Sequence, residues 1–356
     1  MKNAKNRPVY DVDRFFCHFF REWSERVNMN NNDDMNMSVN KYNNIAVIDF
    51  HCDVLSKLQQ EPMLSFINAD GLDMSYQKMK AGNIALQCFA IYISEKLGGA
   101  TFSHIAEQIE IFYEQVVPHG IIPIRTKQEL LIAKQLGQIG GILSIEGADG
   151  LAGNMNHLEQ CYERGVRFLG LTWNYANWAA DGILAPRNGG LTEKGVQLVH
   201  KCHELGIIMD VSHLSTNGFW QLSEMAHKVN KPFIASHSNA IEICGNVRNL
   251  SDEQILDIIA LEGRIGLNFY PPFVTSEPFP TATSLLPHIE HICELGGAKH
   301  MMMGADFDGI DQHLAGLTDG ACYPYLTELL LQYYDENLVR DWMYNNAYSF
   351  LESWLP

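Results

Sequence analysis

Residues 45–55 read IAVIDFHCDVL, an apolar run that ends in Asp49, His51 and Asp53 at alternate positions. Ile45, Val47, Ile48 and Phe50 suit a strand buried on both faces, the pattern of a parallel sheet. Residues two apart on a strand project to one side. His51 and Asp53 can therefore grip one ion together at the strand's end. Asp49 reads as a helix-capping carboxylate that supports the site from behind.

Seven more such runs follow: IALQCFAIYI (84–93), GILSIEG (141–147), VRFLGLTW (166–173), GIIMDVSH (206–213), PFIASHS (232–238), RIGLNFYP (264–271) and HMMMGADF (300–307). Helical patterns lie between most of them, such as LTEKGVQLVHKCHELG and SDEQILDIIALEG. The second is expected to start at Ser251 as N-cap and to end at Gly263. Eight strand–helix repeats point to a closed (β/α)8 TIM-like barrel over residues 45–356, with a doubly wound open sheet as the alternative.

Residues 1–44 stand apart. VYDVDRFFCHFFREWSERV has the spacing of an amphipathic helix, and NMNNNDDMNMSVNKYNN reads as an Asn-rich linker.

The chain has 356 residues, 46% hydrophobic, enough for a large core, and a net charge of −17. Nucleic-acid binding needs a basic face, which this composition does not supply. No run approaches the ~18 apolar residues of a membrane span, and charges interrupt the N-terminal segment where a signal core would lie. Eight scattered cysteines form no Cys-x-x-Cys pair and read as reduced, buried thiols. A cytoplasmic protein is expected, with no nucleic acid and no membrane anchor. A homodimer is compatible with everything in the sequence.

The polar residues at the ends of the runs form a pattern. His51 and Asp53 are followed by Glu146, His213, His237 and Asp306, each at the end of its own apolar run. In a barrel all these ends face one rim, where barrel enzymes keep their active sites. A lone His or carboxylate at a strand end is more often a hydrogen-bonded rim residue than a ligand. Their coincidence changes the reading, because nitrogen and oxygen donors together suit zinc. Five ligands are too many for one tetrahedral ion with an open position, and fit two ions sharing a carboxylate.

IDFHCDVL, SIEGADGL, VRFLGLTWNYANWAADG, MDVSHLS, FIASHSNA, VRNLSD, GLNFY and GADFDGI, in this order, resemble the membrane (renal) dipeptidase family of zinc peptidases. The resemblance runs from about residue 45 to residue 350. It implies two zinc ions in a barrel and a hydroxide held between them that attacks a dipeptide. His51 and Asp53 match ligands of the first ion, Glu146 the bridging carboxylate, and His213 and His237 ligands of the second. Asp306 matches the acid/base. Arg248, eleven residues after His237, matches the Arg that holds the substrate's C-terminal carboxylate. Tyr270, in GLNFY, and Trp173 and Asn174, in LTWN, are expected to line the substrate site. The family tolerates a D-residue at the C-terminal position, so L,D-dipeptides are expected among the substrates.

One departure stands out. The family's mammalian members carry a His where this chain has Trp173, and that His helps stabilise the oxyanion. Here Trp173, Asn174 or Asn177 donates instead, or zinc carries the charge alone. Indole offers one N–H donor and no acceptor.

Two rival readings remain: a barrel amidohydrolase for a non-peptide amide, lactam or ester, and a non-catalytic binding protein on the same fold. Arg248 speaks for substrates with a carboxylate, and Asp306 with the complete ligand set speaks for catalysis.

Every expected site residue lies beyond residue 44. Residues 45–356 made alone should therefore keep the turnover number of the full chain once metal-loaded. A many-fold loss in a folded, loaded truncation would refute this division.

Overall fold

The computed structural model describes residues 45–356; the helix and linker expected within 1–44 lie outside the described residues. Nine parallel strands form one sheet: β1 (Val47–Cys52), β2 (Ile84–Tyr92), β3 (Ile122–Pro123), β4 (Gly140–Glu146), β5 (Val166–Gly170), β6 (Ile208–Asp210), β7 (Phe233–Ala235), β8 (Arg264–Leu267) and β9 (Met301–Met303). The ring β1-β2-β4-β5-β6-β7-β8-β9 closes because β1 pairs with β9 at Asp49–Met303 and β2 pairs with β4 along seven residues. The open-sheet alternative is thereby excluded. The two-residue β3, unforeseen in the sequence, pairs only with Gly140 and Gly141 at the start of β4.

Alternation along the strands divides the core into two layers. Ile48, Phe50, Leu86, Cys88, Ile142, Phe168, Ile208, Ile234 and Met302 pack together in one cluster. Val47, Phe89, Leu143, Met209, Phe233 and Met303 belong to the other cluster, which includes the surrounding helices. The C-terminal helix Asn346–Trp354 adds Ala347, Phe350 and Leu351 to the first cluster. It is fixed at the starting ends of the strands: Arg264 Nε donates to Asn346 O at 2.9 Å, and Asn346 Nδ2 donates to Met301 O at 2.8 Å. That end of the barrel is plugged, which leaves the opposite rim for a site.

The capping expected at Ser251 is present as a full capping box with Gln254. The end expected at Gly263 is not: the helix stops at Ala260, and Glu262 takes the left-handed turn with φ 57°. Gly263 serves a different need, since a Cβ there would collide with the Phe233 carbonyl oxygen.

The same constraint acts below the rim. A Cβ on either Gly266 or Gly304 would strike the carbonyl oxygen of Ser236, so the ends of β7, β8 and β9 approach at backbone distance. Gly304→Ala should destabilise the chain by about 1–3 kcal/mol or more, the usual range for overpacking a tight core. Chemical denaturation compared with the unmodified protein checks this, and an unchanged midpoint would contradict it.

Candidate active site

The opening stretch places its polar residues through a defect in the strand. Asp49 pairs with Gln87, but Cys52 pairs with Phe89, so β1 carries an extra residue between them. Such a bulge breaks the alternation. Asp49 faces away from the rim and His51 faces the site. Asp49 caps no helix. Its Oδ1 accepts from His51 N and Ala305 N, each at 3.1 Å, and its Oδ2 accepts from the Tyr323 hydroxyl at 2.7 Å. It ties the end of β1 to the end of β9 from behind. Burial raises its pKa, and these three hydrogen bonds oppose the rise.

Asp210 repeats the device across the ring. Its Oδ1 accepts from Ser212 N and Ser236 N, both at 3.0 Å, and so ties the end of β6 to the end of β7. These two ends carry His213 and His237. The sequence reading did not single out Asp210; a carboxylate three residues before a strand-end His was the available signal.

Glu146, at the end of β4, sits between two sets of donors. Its Oε2 lies 3.5 Å from His51 Nε2, which in turn lies 3.4 Å from Asp53 Oδ2. Its Oε1 lies 2.9 Å from His213 Nε2 and 3.7 Å from His237 Nε2. His51, Asp53 and Glu146 form one group that could hold an ion, and Glu146, His213 and His237 another. The sequence-expected ligand residues are thus brought together, with Glu146 common to both groups.

The surroundings of the histidines bear on what this arrangement could hold. His213 Nδ1 faces Asn174 Oδ1 at 2.8 Å, an acceptor, so the ring carries its proton there and presents a bare Nε2. His237 Nδ1 lies 2.7 Å from Ser236 Oγ, which leaves its Nε2 turned to the site. The two Nε2 atoms are 2.8 Å apart and face a carboxylate oxygen. Burial pushes His213 down to about 4 and His237 well below its ordinary range, and Arg248 adds to both shifts. His51 has no hydrogen-bond partner on either ring nitrogen among the described residues. Burial opposes its protonation, but Glu146 and Asp53 outweigh burial and hold its pKa well above 6.5. Converging lone pairs of this kind repel one another unless cations lie among them. The donor set of imidazole nitrogens and carboxylate oxygens fits divalent metal ions.

Asp306 closes the site from β9. Its Oδ2 accepts from Asn268 Nδ2 at 3.0 Å, and its Oδ1 lies 3.9 Å from His51 Nε2. Burial pushes its carboxyl up to about 7; Asp53 and Glu146 add to the shift, and His51 and Asn268 oppose it. His213 and Asp306 both take left-handed backbone conformations, each with φ 69°, uncommon for residues with a side chain. The loop after Asp306 is clamped by Asp308, whose carboxylate accepts from Asp73 N, Met74 N and Lys57 Nζ at 2.8–3.0 Å. The sequence reading missed Asn268, Asp308 and Lys57, because their partners lie up to 251 residues away.

The remaining expected residues divide. A hollow of about 460 Å³ is lined by Asp53, Glu146, Trp173, Asn174, His213, Tyr270 and Asp306 among others. Tyr270 is held there by its hydroxyl, which donates to Asp311 Oδ1 at 3.1 Å. Arg248 lies beside His213, along a neighbouring cavity. It is no surface residue: it is 6% exposed, its guanidinium carbon is 5.2 Å from the Phe273 ring centre, and its Nε and Nη2 have no partner among the described residues. Asn177 is spent on structure, with its amide donating to Asp149 and Leu171 and its Oδ1 accepting from Ala179 N and Ala180 N. That removes it from the three candidate oxyanion donors and leaves Trp173 and Asn174.

The membrane dipeptidase family, peptidase family M19, matches residues 39–353. The chain belongs to this family. A solved dipeptidase described as a metallo peptidase of the same family is 28% identical, with a TM-score of 0.80 over 87% of this chain and 99% of that one. A metallo peptidase from Rhodobacter sphaeroides, solved with a phosphinate mimic of the dipeptide L-Ala-D-Ala, is 25% identical, with a TM-score of 0.79 over 88% of this chain and 99% of that one. An uncharacterised dipeptidase of Schizosaccharomyces pombe is 33% identical over 192 residues, 53% of this chain and 46% of that protein. The chain spans about half to two thirds of the length of the curated relatives it matches, at 65%, 46% and 64%. Membership in a metallopeptidase family implies metal ions, and the residues described above could hold them.

Glu146→Gln should lower the metal content of the purified protein with the fold intact, because an amide N–H₂ replaces one of two shared oxygens. Elemental analysis with circular dichroism checks this. Full metal content and normal turnover in the variant would contradict a carboxylate common to both groups.

Proposed function

We propose that this chain is a two-zinc dipeptidase that hydrolyses free dipeptides, including those with a C-terminal D-residue. The observation that carries the reading is Glu146, whose two oxygens face two separate sets of buried donors. His51 and Asp53 would hold one zinc, His213 and His237 the other, and Glu146 both. Bound zinc supplies positive charge that ionises a water and polarises a carbonyl oxygen.

The chain's own groups do the rest. Asp306 has one oxygen held by Asn268 and the other turned to the ligand set. Its Oδ1 takes the proton of the attacking water and returns it to the leaving amine. The Asn268 bond fixes the carboxyl, so Oδ1 is positioned for both transfers. Asn174 orients His213, and its amide N–H₂ has no acceptor among the described residues; Asn174 and Trp173 both line the hollow and are the candidate oxyanion donors.

Arg248 selects the substrate. Burial lowers its pKa only to about 10, so it stays charged, with two nitrogens to satisfy. A substrate carboxylate provides planar, paired acceptors for such a fork. That favours free dipeptides over the neutral amides, lactams or esters of the amidohydrolase reading.

Residues 45–356 hold every group in this scheme. No helix among the described residues is long and apolar enough to cross a membrane. Among the described residues seven cysteines are free, five of them buried, which supports a reducing, cytoplasmic setting.

Arg248→Ala should lower kcat/KM for free dipeptides by about 10–150-fold, the factor set by ~1.5–3 kcal/mol for charge-assisted hydrogen bonds. Dipeptide amides should be poor substrates already and lose little more, and metal content should hold. Equal use of amides and free dipeptides by both proteins would move the amidohydrolase reading ahead.

A further inference from the structure

A second cavity opens on the rim, between the loops that follow β2, β4 and β5. Its volume is about 200 Å³, far beyond the ~10–15 Å³ that one water needs. Tyr92, Trp173 and Tyr175 give it aromatic walls, and Glu95 and Asp149 give it carboxylates. The rings form a row, with Tyr92–Trp173 centres 5.3 Å apart and Trp173–Tyr175 centres 5.8 Å apart. Glu146, Tyr92 and Trp173 also line the main hollow, so the two spaces share a wall.

The position of this cavity follows from the ring order. β2 and β7 are four strands apart in a ring of eight, on opposite sides of the rim. Arg248 lies in the loop after β7, and Tyr92 and Glu95 lie at and after the end of β2. A dipeptide with its carboxylate on Arg248 and its peptide bond over Glu146 sends its N-terminal residue toward the loops after β2, β4 and β5.

The lining decides what that residue should be. No cationic side chain among the described residues lines the cavity; Lys57 and Lys96 line the main hollow, and Lys57 is bonded to Asp308. Glu95 and Asp149 therefore set the sign of the charge along this wall. Aromatic faces and carboxylates together attract a cation. We propose that this cavity receives the side chain of the N-terminal residue and selects a cationic one, lysine or arginine, over a neutral or acidic one. The proposal rests on the dipeptidase reading. Glu95 and Asp149 are exposed, so the preference should be moderate.

The test measures kcat/KM of the metal-loaded full chain for L-Lys–D-Ala, L-Met–D-Ala and L-Glu–D-Ala. Methionine supplies a long, unbranched, neutral side chain. Lys should exceed Met by roughly tenfold, and Glu should fall below Met. In Glu95→Gln and in Glu95→Gln/Asp149→Asn the Lys/Met ratio should fall toward one. A ratio is insensitive to general loss of activity. Asp149 also holds Asn177, so the single Glu95→Gln variant, whose side chain has no hydrogen bond to lose among the described residues, guards against a loop disturbance. Equal use of Lys and Met, or a ratio that neither variant moves, overturns the pocket while leaving the dipeptidase reading in place. Failure to hydrolyse any of the three overturns both.

Discussion

The rest of the site is arranged around the Glu146 carboxylate. The side chain is only 9% exposed, it has no Lys or Arg in salt-bridge contact among the described residues, and it faces His51 on one side and His213 with His237 on the other. Asp53 and Asp306 add two more buried carboxyls within the same few ångströms. Burial raises the pKa of Asp53 to about 6, and Glu146 adds to that shift. Isolated charges of one sign cannot be buried cheaply. Divalent ions among these atoms would turn mutual repulsion into attraction.

Holding repelling groups together demands a stiff scaffold, and the barrel supplies it by a repeated device. Asp49 and Asp210 each bind the N–H two residues ahead on their own strand and an N–H at the end of the next strand. One joins β1 to β9 and the other joins β6 to β7, the two places where His51 faces Asp306 and His213 faces His237. Asp308 adds a third clamp outside the ring by gathering Asp73, Met74 and Lys57. Each carboxylate is satisfied by fixed donors, so the ends it joins have little freedom to relax away from one another.

Function divides around this rigid centre. On the β7 side lies a buried Arg with unsatisfied nitrogens, and on the β2 side lies an aromatic and acidic wall. The centre would cleave the bond, while the two flanks would measure the substrate's ends. Trp173 belongs to both spaces, which gives the residue that departs from the mammalian pattern a place in the wall between them.

Much of this was legible in the order of residues. Apolar runs alternating with helical patterns point to parallel strands, and a polar residue at the end of a run must land on their common edge; the pairing of β1 with β9 closes that edge into a rim. His51, Asp53, Glu146, His213, His237 and Asp306 are readable for that reason, since their placement depends only on strand direction. Other features depend on what packs beside each residue. Alternation alone would send Asp49 and His51 to the same side; the bulge in β1 separates them, and it exists only because β2 pairs with that strand. The helix after Ser251 ends at Ala260, and Gly263 is required by the Phe233 carbonyl, which occupies the space a Cβ would need. The burial of Arg248 appears only once Phe273 packs beneath it, and Asn177 reads as a free donor until Asp149 and Leu171 claim its amide. The sequence by itself determined which side chains reach the rim, because strand period and direction are local properties. Only the tertiary structure decided which of them meet, which face inward and which are left without a partner, because those outcomes depend on contacts between residues far apart in the chain.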